Sequence, residues 1–261
     1  GASLHACSSF FRSNDQTLSG NAVVYHWENL HMVDGRYLYL ENGENIAQTG
    51  IDVSEHQGAI DWNLVANDDI DFAFVRLGNR GATSGALRAD EHVVDNLDGA
   101  ASAGIDVGAY FFSQATNESE AVEEAEFALE LLAGRRLALP IVYDHESVPG
   151  VVGRADGLTD EQLTANARAF CERIEKAGYD TMIYGNFSDL SRYDLSAVET
   201  ASVWFAEYGV AQPSLSSGFS IWQYSNTGCV EGIDVDVDMN VRFAQRALED
   251  RDRETKGRTS A

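Results

Sequence analysis

The chain has 261 residues, 44% of them hydrophobic, with 42 acidic side chains against 18 basic ones and a formal net charge of −24. This composition supports a sizeable core and excludes wholesale disorder. The negative field repels nucleic acid and anionic membrane surfaces, and no stretch reaches the roughly 18 apolar residues of a membrane helix, so neither nucleic-acid binding nor membrane insertion is expected.

Residues 1–49 are polar, with short alternating pieces such as Tyr37-Leu38-Tyr39-Leu40 before Glu41-Asn42-Gly43-Glu44-Asn45. They read as an extended or hairpin lead-in. No basic-then-apolar leader is present, and Gly1-Ala2-Ser3 reads as a processed start, so a removed signal and a secreted or cell-surface location are expected. Cys7, Cys171 and Cys229 are too few and scattered for a disulfide framework or zinc site; one disulfide of undetermined pairing is left open. Cys171, beside the apolar stripe Leu163, Ala167, Phe170 and Ile174, reads as a buried inert thiol.

From Gly50 the pattern becomes strand and helix in alternation. Strands are predicted over Gly50–Val53, Phe72–Leu77, Val107–Phe112, Leu139–Asp144, Thr181–Gly185, Val203–Ala206 and Ser220–Tyr224. Ile60-Asp61-Trp62 opens a helix. Asn117 with Glu120, and Thr159 with Gln162, read as capping boxes of two more, closed by Gly134 and Gly178. Alternation of this kind implies a parallel sheet covered on its outer face. The helices thin out after residue 187, so an α/β barrel with a reduced number of helices and an irregular C-terminal part is expected over 50–246. A charged tail occupies 247–261.

In such barrels chemistry gathers where strands stop. Polar side chains do fall there: Asp52, Arg76, Asp144, Glu146, Asn186, Glu207 and Gln223. Asp144 and Glu146 lie two residues apart at the end of the apolar run Leu139–Tyr143. On one strand face their Cα atoms would be roughly 6–7 Å apart, and their carboxyl groups could approach about 5 Å, the separation of retaining glycosidases. The bland alternative is a loop with both acids solvated. Asp52 is a third acid in the same mouth; alternatively, Asp52 or Ser54 simply caps the turn. His56 reads as a hydrogen-bonded loop residue, since no second histidine has metal spacing. Asp234, Asp236 and Asp238 would share one face of a strand, or occupy an irregular loop. A calcium site there lacks the glycine and distal glutamate of an EF-hand. Tyr110, Phe112, Tyr184, Trp204, Tyr208, Trp222 and Tyr224 recur at strand ends, and about half are expected to line a cleft, the rest to be core.

These pieces, in this order, resemble the glycoside hydrolase family 25 muramidases, the CH-type lysozymes. The matching segments are Gly50-Ile-Asp-Val-Ser54 with Gln57-Gly58 and Ile60-Asp-Trp62, Phe74-Val-Arg76, Gly108-Ala-Tyr-Phe-Phe112, Pro140-Ile-Val-Tyr-Asp-His-Glu146, Ile183-Tyr184, Trp204-Phe-Ala-Glu-Tyr208, Trp222-Gln-Tyr224 and Val237-Asp-Met-Asn240. The resemblance implies an irregular β/α barrel that cleaves the β-1,4 bond between N-acetylmuramic acid and N-acetylglucosamine in peptidoglycan. By motif, Glu146 is similar to the general acid and base and Asp144 to the second carboxylate, which in the family steadies an intermediate formed by the substrate's own 2-acetamido group; the pair's separation fits equally a direct aspartyl nucleophile, and both routes retain configuration. Asp52 and Asp238 resemble two further acids of the site. Tyr110, Phe112, Arg76, Tyr184, Trp204, Tyr208 and Gln223 are expected to bind substrate. Phe112 stands where the family often has histidine, and Leu77–Gly81 replaces a stretch that often carries an acid or amide. Bacterial peptidoglycan is the expected partner, with no cofactor, no metal and a monomeric state. A non-catalytic wall-binding module is the alternative. A chitinase would need further aspartates where Leu139 and Val142 stand.

Overall fold

The computed structural model describes residues 24–198 and 201–243; the predicted charged tail and Cys7 lie outside them. Three strands open the described chain: β1 (Leu30–Val33), β2 (Arg36–Glu41) and β3 (Glu44–Asn45), paired antiparallel as a small sheet. Then follow β4 (Ala47–Val53), α1 (Trp62–Asn67), β5 (Phe72–Arg80), β6 (Leu87–Ala89), α2 (Val93–Ser102), β7 (Asp106–Phe112) and α3 (Glu118–Leu132). The chain continues with β8 (Ile141–Asp144), α4 (Asp160–Glu175), β9 (Thr181–Asn186), α5 (Phe187–Leu190), β10 (Ser202–Ala206), β11 (Ile221–Gly228) and β12 (Val237–Phe243).

Strands β4, β5, β7, β8, β9, β10 and β11 run parallel in that order. β12 is antiparallel to both β11 and β4, and its insertion between them closes an eight-stranded barrel. β6 folds back on the extended end of β5. Among the described residues the helices do thin out: the last α-helix there, α5, has four residues.

Strand alternation sorts the apolar side chains into two cores. Inside the barrel lie Phe72, Phe74, Leu139, Val142, Met182, Tyr184, Trp204 and Ile221. The outward set, among them Val75, Leu97, Phe111, Tyr143 and Phe170, packs between barrel and helices. Two glycines make room inside. A Cβ on Gly50 would meet the Phe72 ring at 2.3 Å, and one on Gly108 would meet Phe74 at 2.4 Å.

Where helices are missing, the N-terminal sheet takes their place. Tyr37 packs on Trp222 and Tyr224, with ring centroids 4.7 and 4.9 Å away, and Tyr25 packs on Phe219 and Phe243. Trp222 and Tyr224 are therefore outer-face residues held under this sheet and do not line the cleft. The inward residue between them is Gln223.

The caps are half-boxes. Asn117 accepts from the Glu120 N–H, but the Glu120 carboxylate turns to Thr116 and Arg154. Thr159 accepts from the Gln162 N–H, while the Gln162 amide donates to Glu118 and Asn166. The complete box is Ser54 with Gln57. Ser54 thus caps the turn after β4, which leaves Asp52 free to face inward. Cys171 is a buried free thiol, its pKa pushed up to about 12 by burial, and Cys229 is exposed and free.

Candidate active site

A cavity of about 200 Å³ opens where the parallel strands end, lined by Asp52, Arg76, Tyr110, Phe112, Asp144, Glu146, Tyr184, Trp204, Gln223 and Asp238. Of the expected site residues only Tyr208 is outside this lining, and it is one hydrogen bond away. Register explains the convergence. Asp52 pairs with Asp238 across β4 and β12, Arg76 with Tyr110, Phe112 with Asp144, Asp144 with Tyr184, and Tyr184 with Trp204. Partners level with each other on neighbouring strands point to the same side, so one inward choice propagates around the barrel.

One expectation about the acid pair changes. β8 ends at Asp144, so Glu146 lies beyond the strand and reaches the cavity by the path of the following segment, not by strand alternation. His145 turns away and is buried against Ser113.

The floor is a chain of hydrogen bonds with a fixed direction. The Gln223 carbonyl oxygen accepts from the hydroxyls of Tyr184, at 2.7 Å, and Tyr208, which turns its amide nitrogen to donate to Asp52 Oδ2 at 2.7 Å. Trp204 Nε1 can only donate. It bonds Asn240 Oδ1 at 2.8 Å, so the Asn240 nitrogen donates to the same Asp52 oxygen, also at 2.8 Å. The Trp204 ring stacks on Phe74 and meets Tyr184 edge-on, which fixes the plane of the network.

Four acids so close cannot all be charged. Burial, then the Asp238 charge, pushes Asp52 well above the usual carboxylate range, and burial raises Asp238. Asp144 is raised well above that range by burial and then by Glu146 and Asp52. Burial, followed by the charges of Asp189 and Asp238, pushes Glu146 up to about 7. Arg76 is the one cation lining the cavity among the described residues. It is held by Asp90 at 2.8 Å and Glu55 at 3.1 Å. Asp144 Oδ1 is buried and has no hydrogen-bond partner among the described residues. Among those residues no group of three or more His, Cys, Asp or Glu side chains is arranged to hold a metal ion.

The geometry has counterparts. Residues 51–233 match the family model described as glycosyl hydrolases family 25. The chain belongs to that family. It is 28% identical over 192 residues to the autolytic lysozyme of Clostridium acetobutylicum, covering 73% of this chain and 54% of that protein. It is 32% identical over 201 residues to lysozyme M1 of Streptomyces globisporus, covering 73% and 66%. Among solved structures, the modular autolysin LytC of Streptococcus pneumoniae, in complex with a synthetic peptidoglycan ligand, superposes with a TM-score of 0.67 at 26% identity, over 82% of this chain and 52% of that one. The chain thus spans about half to two thirds of the length of these relatives.

Within this family 25 barrel, two residues near the site, Asp90 and Asp189, escape a reading of motifs, and a third, Asn240, falls in a motif that gives it no role. Asn240 sits in a segment that reads equally as loop. Asp90 follows the short β6 and has no apolar strand run before it, yet its side chain is fully buried under Arg76. Asp189 lies in α5, capped by Asn186, and its charge acts on both Asp144 and Glu146. Of the triplet Asp234, Asp236 and Asp238, only Asp238 is in a strand; the first two precede β12 in an exposed turn.

Proposed function

We propose that this chain is a muramidase, hydrolysing the β-1,4 bond between N-acetylmuramic acid and N-acetylglucosamine in bacterial peptidoglycan with retention of configuration. The observation that carries the reading is the pairing of a carboxyl pushed up to about 7, Glu146, with the unpartnered buried oxygen of Asp144 in one cavity. A Glu146 still protonated near neutrality can donate to the glycosidic oxygen as the bond to C1 breaks. The acetamido carbonyl oxygen of the same sugar then bonds C1 from the opposite face. In this reading Asp144 Oδ1 accepts the acetamido N–H and offsets the positive charge of the cyclic intermediate. Water, giving its proton to the Glu146 carboxylate, attacks C1 and reopens the ring. Two inversions leave the configuration unchanged. The Asp52–Asp238 pair, at the floor, bounds the pocket that receives the sugar. Support also comes from the relatives named lysozymes and from the peptidoglycan ligand bound to LytC. Such a substrate is reached from outside the cell membrane, so the proposal includes a secreted or surface location and a single-chain unit.

Mass spectrometry of fragments from a defined peptidoglycan tests the bond. Reducing-end N-acetylmuramic acid is expected, whereas reducing-end N-acetylglucosamine would refute the assignment. Proton NMR of the first product should show the β anomer, and the α anomer would exclude a retaining route.

The pH dependence follows from the same groups. Glu146 must be protonated, so kcat/KM should fall as pH rises through about 7. Asp144 must be ionised, and its carboxyl is itself raised by burial and then by Glu146 and Asp52, so the rate should also fall on the acid side, earlier than an ordinary carboxylate would dictate, which leaves a narrow optimum on the acid side of neutrality. Initial rates of reducing-sugar release across pH 4–9 check this, and a flat profile would contradict it.

A further inference from the structure

Glu146 stands on a segment with no strand ladder to hold it, yet its position is defined. Parallel pairing of β7 with β8 ends at Phe112 and Asp144. Beyond that point three hydrogen bonds continue the seam. The Ser113 N–H donates to the Asp144 carbonyl at 2.7 Å. His145 Nδ1 faces the Ser113 carbonyl at 3.1 Å; a carbonyl only accepts, so this nitrogen carries the proton. Last, the Gln114 side-chain nitrogen donates to the Glu146 backbone carbonyl at 2.8 Å. Side chains thus replace backbone partners where the strand has stopped.

Gln114 is itself immobilised. It is fully buried; its N–H donates to Glu124 Oε1 at 3.2 Å, and its carbonyl accepts from Arg154 Nη1 at 3.1 Å. Its amide oxygen is buried with no partner among the described residues. Turning the amide over would set two oxygens against each other across the Glu146 bond. The side chain therefore leaves one acceptor unsatisfied in order to keep its donor on Glu146, a cost that core packing alone does not require.

We infer that Gln114 is a positioning residue for the proton-donating carboxyl: it acts through the backbone of Glu146 to set where that side chain meets the glycosidic oxygen. The inference rests on the muramidase reading. A proton donor displaced by about 1 Å loses on the order of 100-fold in rate.

The test compares two leaving groups. Departure of a sugar alkoxide needs protonation; departure of a dinitrophenolate does not. Gln114→Met, close in volume but without the donor, should lose about 10–100-fold in kcat on peptidoglycan with KM little changed. On a dinitrophenyl β-glycoside of the corresponding disaccharide kcat/KM, which reads the bond-breaking step and not the later attack of water, should stay within about threefold of wild type, because departure of the phenolate bypasses the acid. Activity on the aryl substrate also reports that the variant is folded. If it is not, Gln114→Asn, which keeps an amide but is one methylene too short to reach, carries the same comparison. Equal losses on both substrates would overturn the inference in favour of a purely structural role, as would full activity on peptidoglycan. Glu146→Gln separates the two levels. If that variant still cleaves peptidoglycan, the muramidase reading itself fails; if it is inactive while Gln114→Met matches wild type, only the positioning role fails.

Discussion

Replacing Glu146 with glutamine is expected to lower reducing-sugar release from peptidoglycan by about 10²–10⁴-fold, the range spanned by a positioned general acid. The substitution keeps shape and removes the transferable proton. It also relieves a strain built into the site. A carboxyl whose folded pKa lies above its unfolded value binds more protons when folded, so its contribution to stability is present at low pH and is lost as pH rises through the folded value, here about 7. Glu146→Gln should therefore melt higher than wild type at pH 8 and show no such advantage at pH 4.5. Loss of activity with a raised melting temperature separates removal of the proton donor from damage to the fold. Wild-type turnover by this variant would end the assignment of Glu146.

Arg80→Leu is expected to destabilise the protein by about 3–5 kcal/mol, the range for breaking a buried ion pair from one side, and to lower its melting temperature by roughly 10 °C. The Arg80 side chain is 5% exposed. It bonds Glu124 Oε1 at 2.8 Å, Glu123 at 3.1 Å and the carbonyls of Gly85 and Glu120. Without it, the fully buried Glu124 keeps only the Ser113 hydroxyl and the Gln114 N–H as partners. Burial already pushes Glu124 up to about 7 despite the guanidinium, so the variant's deficit should shrink at pH 5, where the carboxyl is neutral, and widen at pH 8. Arg80→Leu with Glu124→Leu should recover most of the loss, since an apolar replacement of a whole buried pair is close to neutral. Thermal melts at the two pH values decide it. A deficit independent of pH would mean that lost packing, not the orphaned charge, is responsible.

The barrel was legible because its strands are short apolar runs whose period sorts inside from outside. Each of the seven predicted strands is present, with ends displaced by up to a few residues, as for β5, which runs to Arg80 under its pairing with β6. Most of the cavity was legible for a related reason: Asp52, Arg76, Asp144 and Gln223 are polar residues placed where apolar runs end. Tertiary contacts decided the rest. Trp222 and Tyr224 look like cleft aromatics until the N-terminal sheet is seen to cover them. Glu120 has the spacing of a capping-box acid, but Arg154 binds it, and the carboxyl is held down at about 2 by that partner. β12 was obscured because the acidic run that leads into it, Asp234 to Asp238, resembles a solvated loop, and contacts such as those of Asn240 with Asp52 and Trp204 mark it as interior.

The reversed direction of β12 joins two events in time. This strand both closes the barrel and delivers Asp238 and Asn240 to a partner, Asp52, that lies as much as 188 positions away along the chain. Contacts of such long sequence separation are slow to form, because the entropy of closing the intervening loop must be overcome first. A partly folded chain can hold Asp144 at the end of β8 with Glu146 just beyond it, yet its pocket has no floor until the joint between β12 and β4 is made. The proposed sugar pocket is therefore complete only in a chain whose barrel is closed, because the strand that seals the barrel is also the one that supplies Asp238 and Asn240 to its floor.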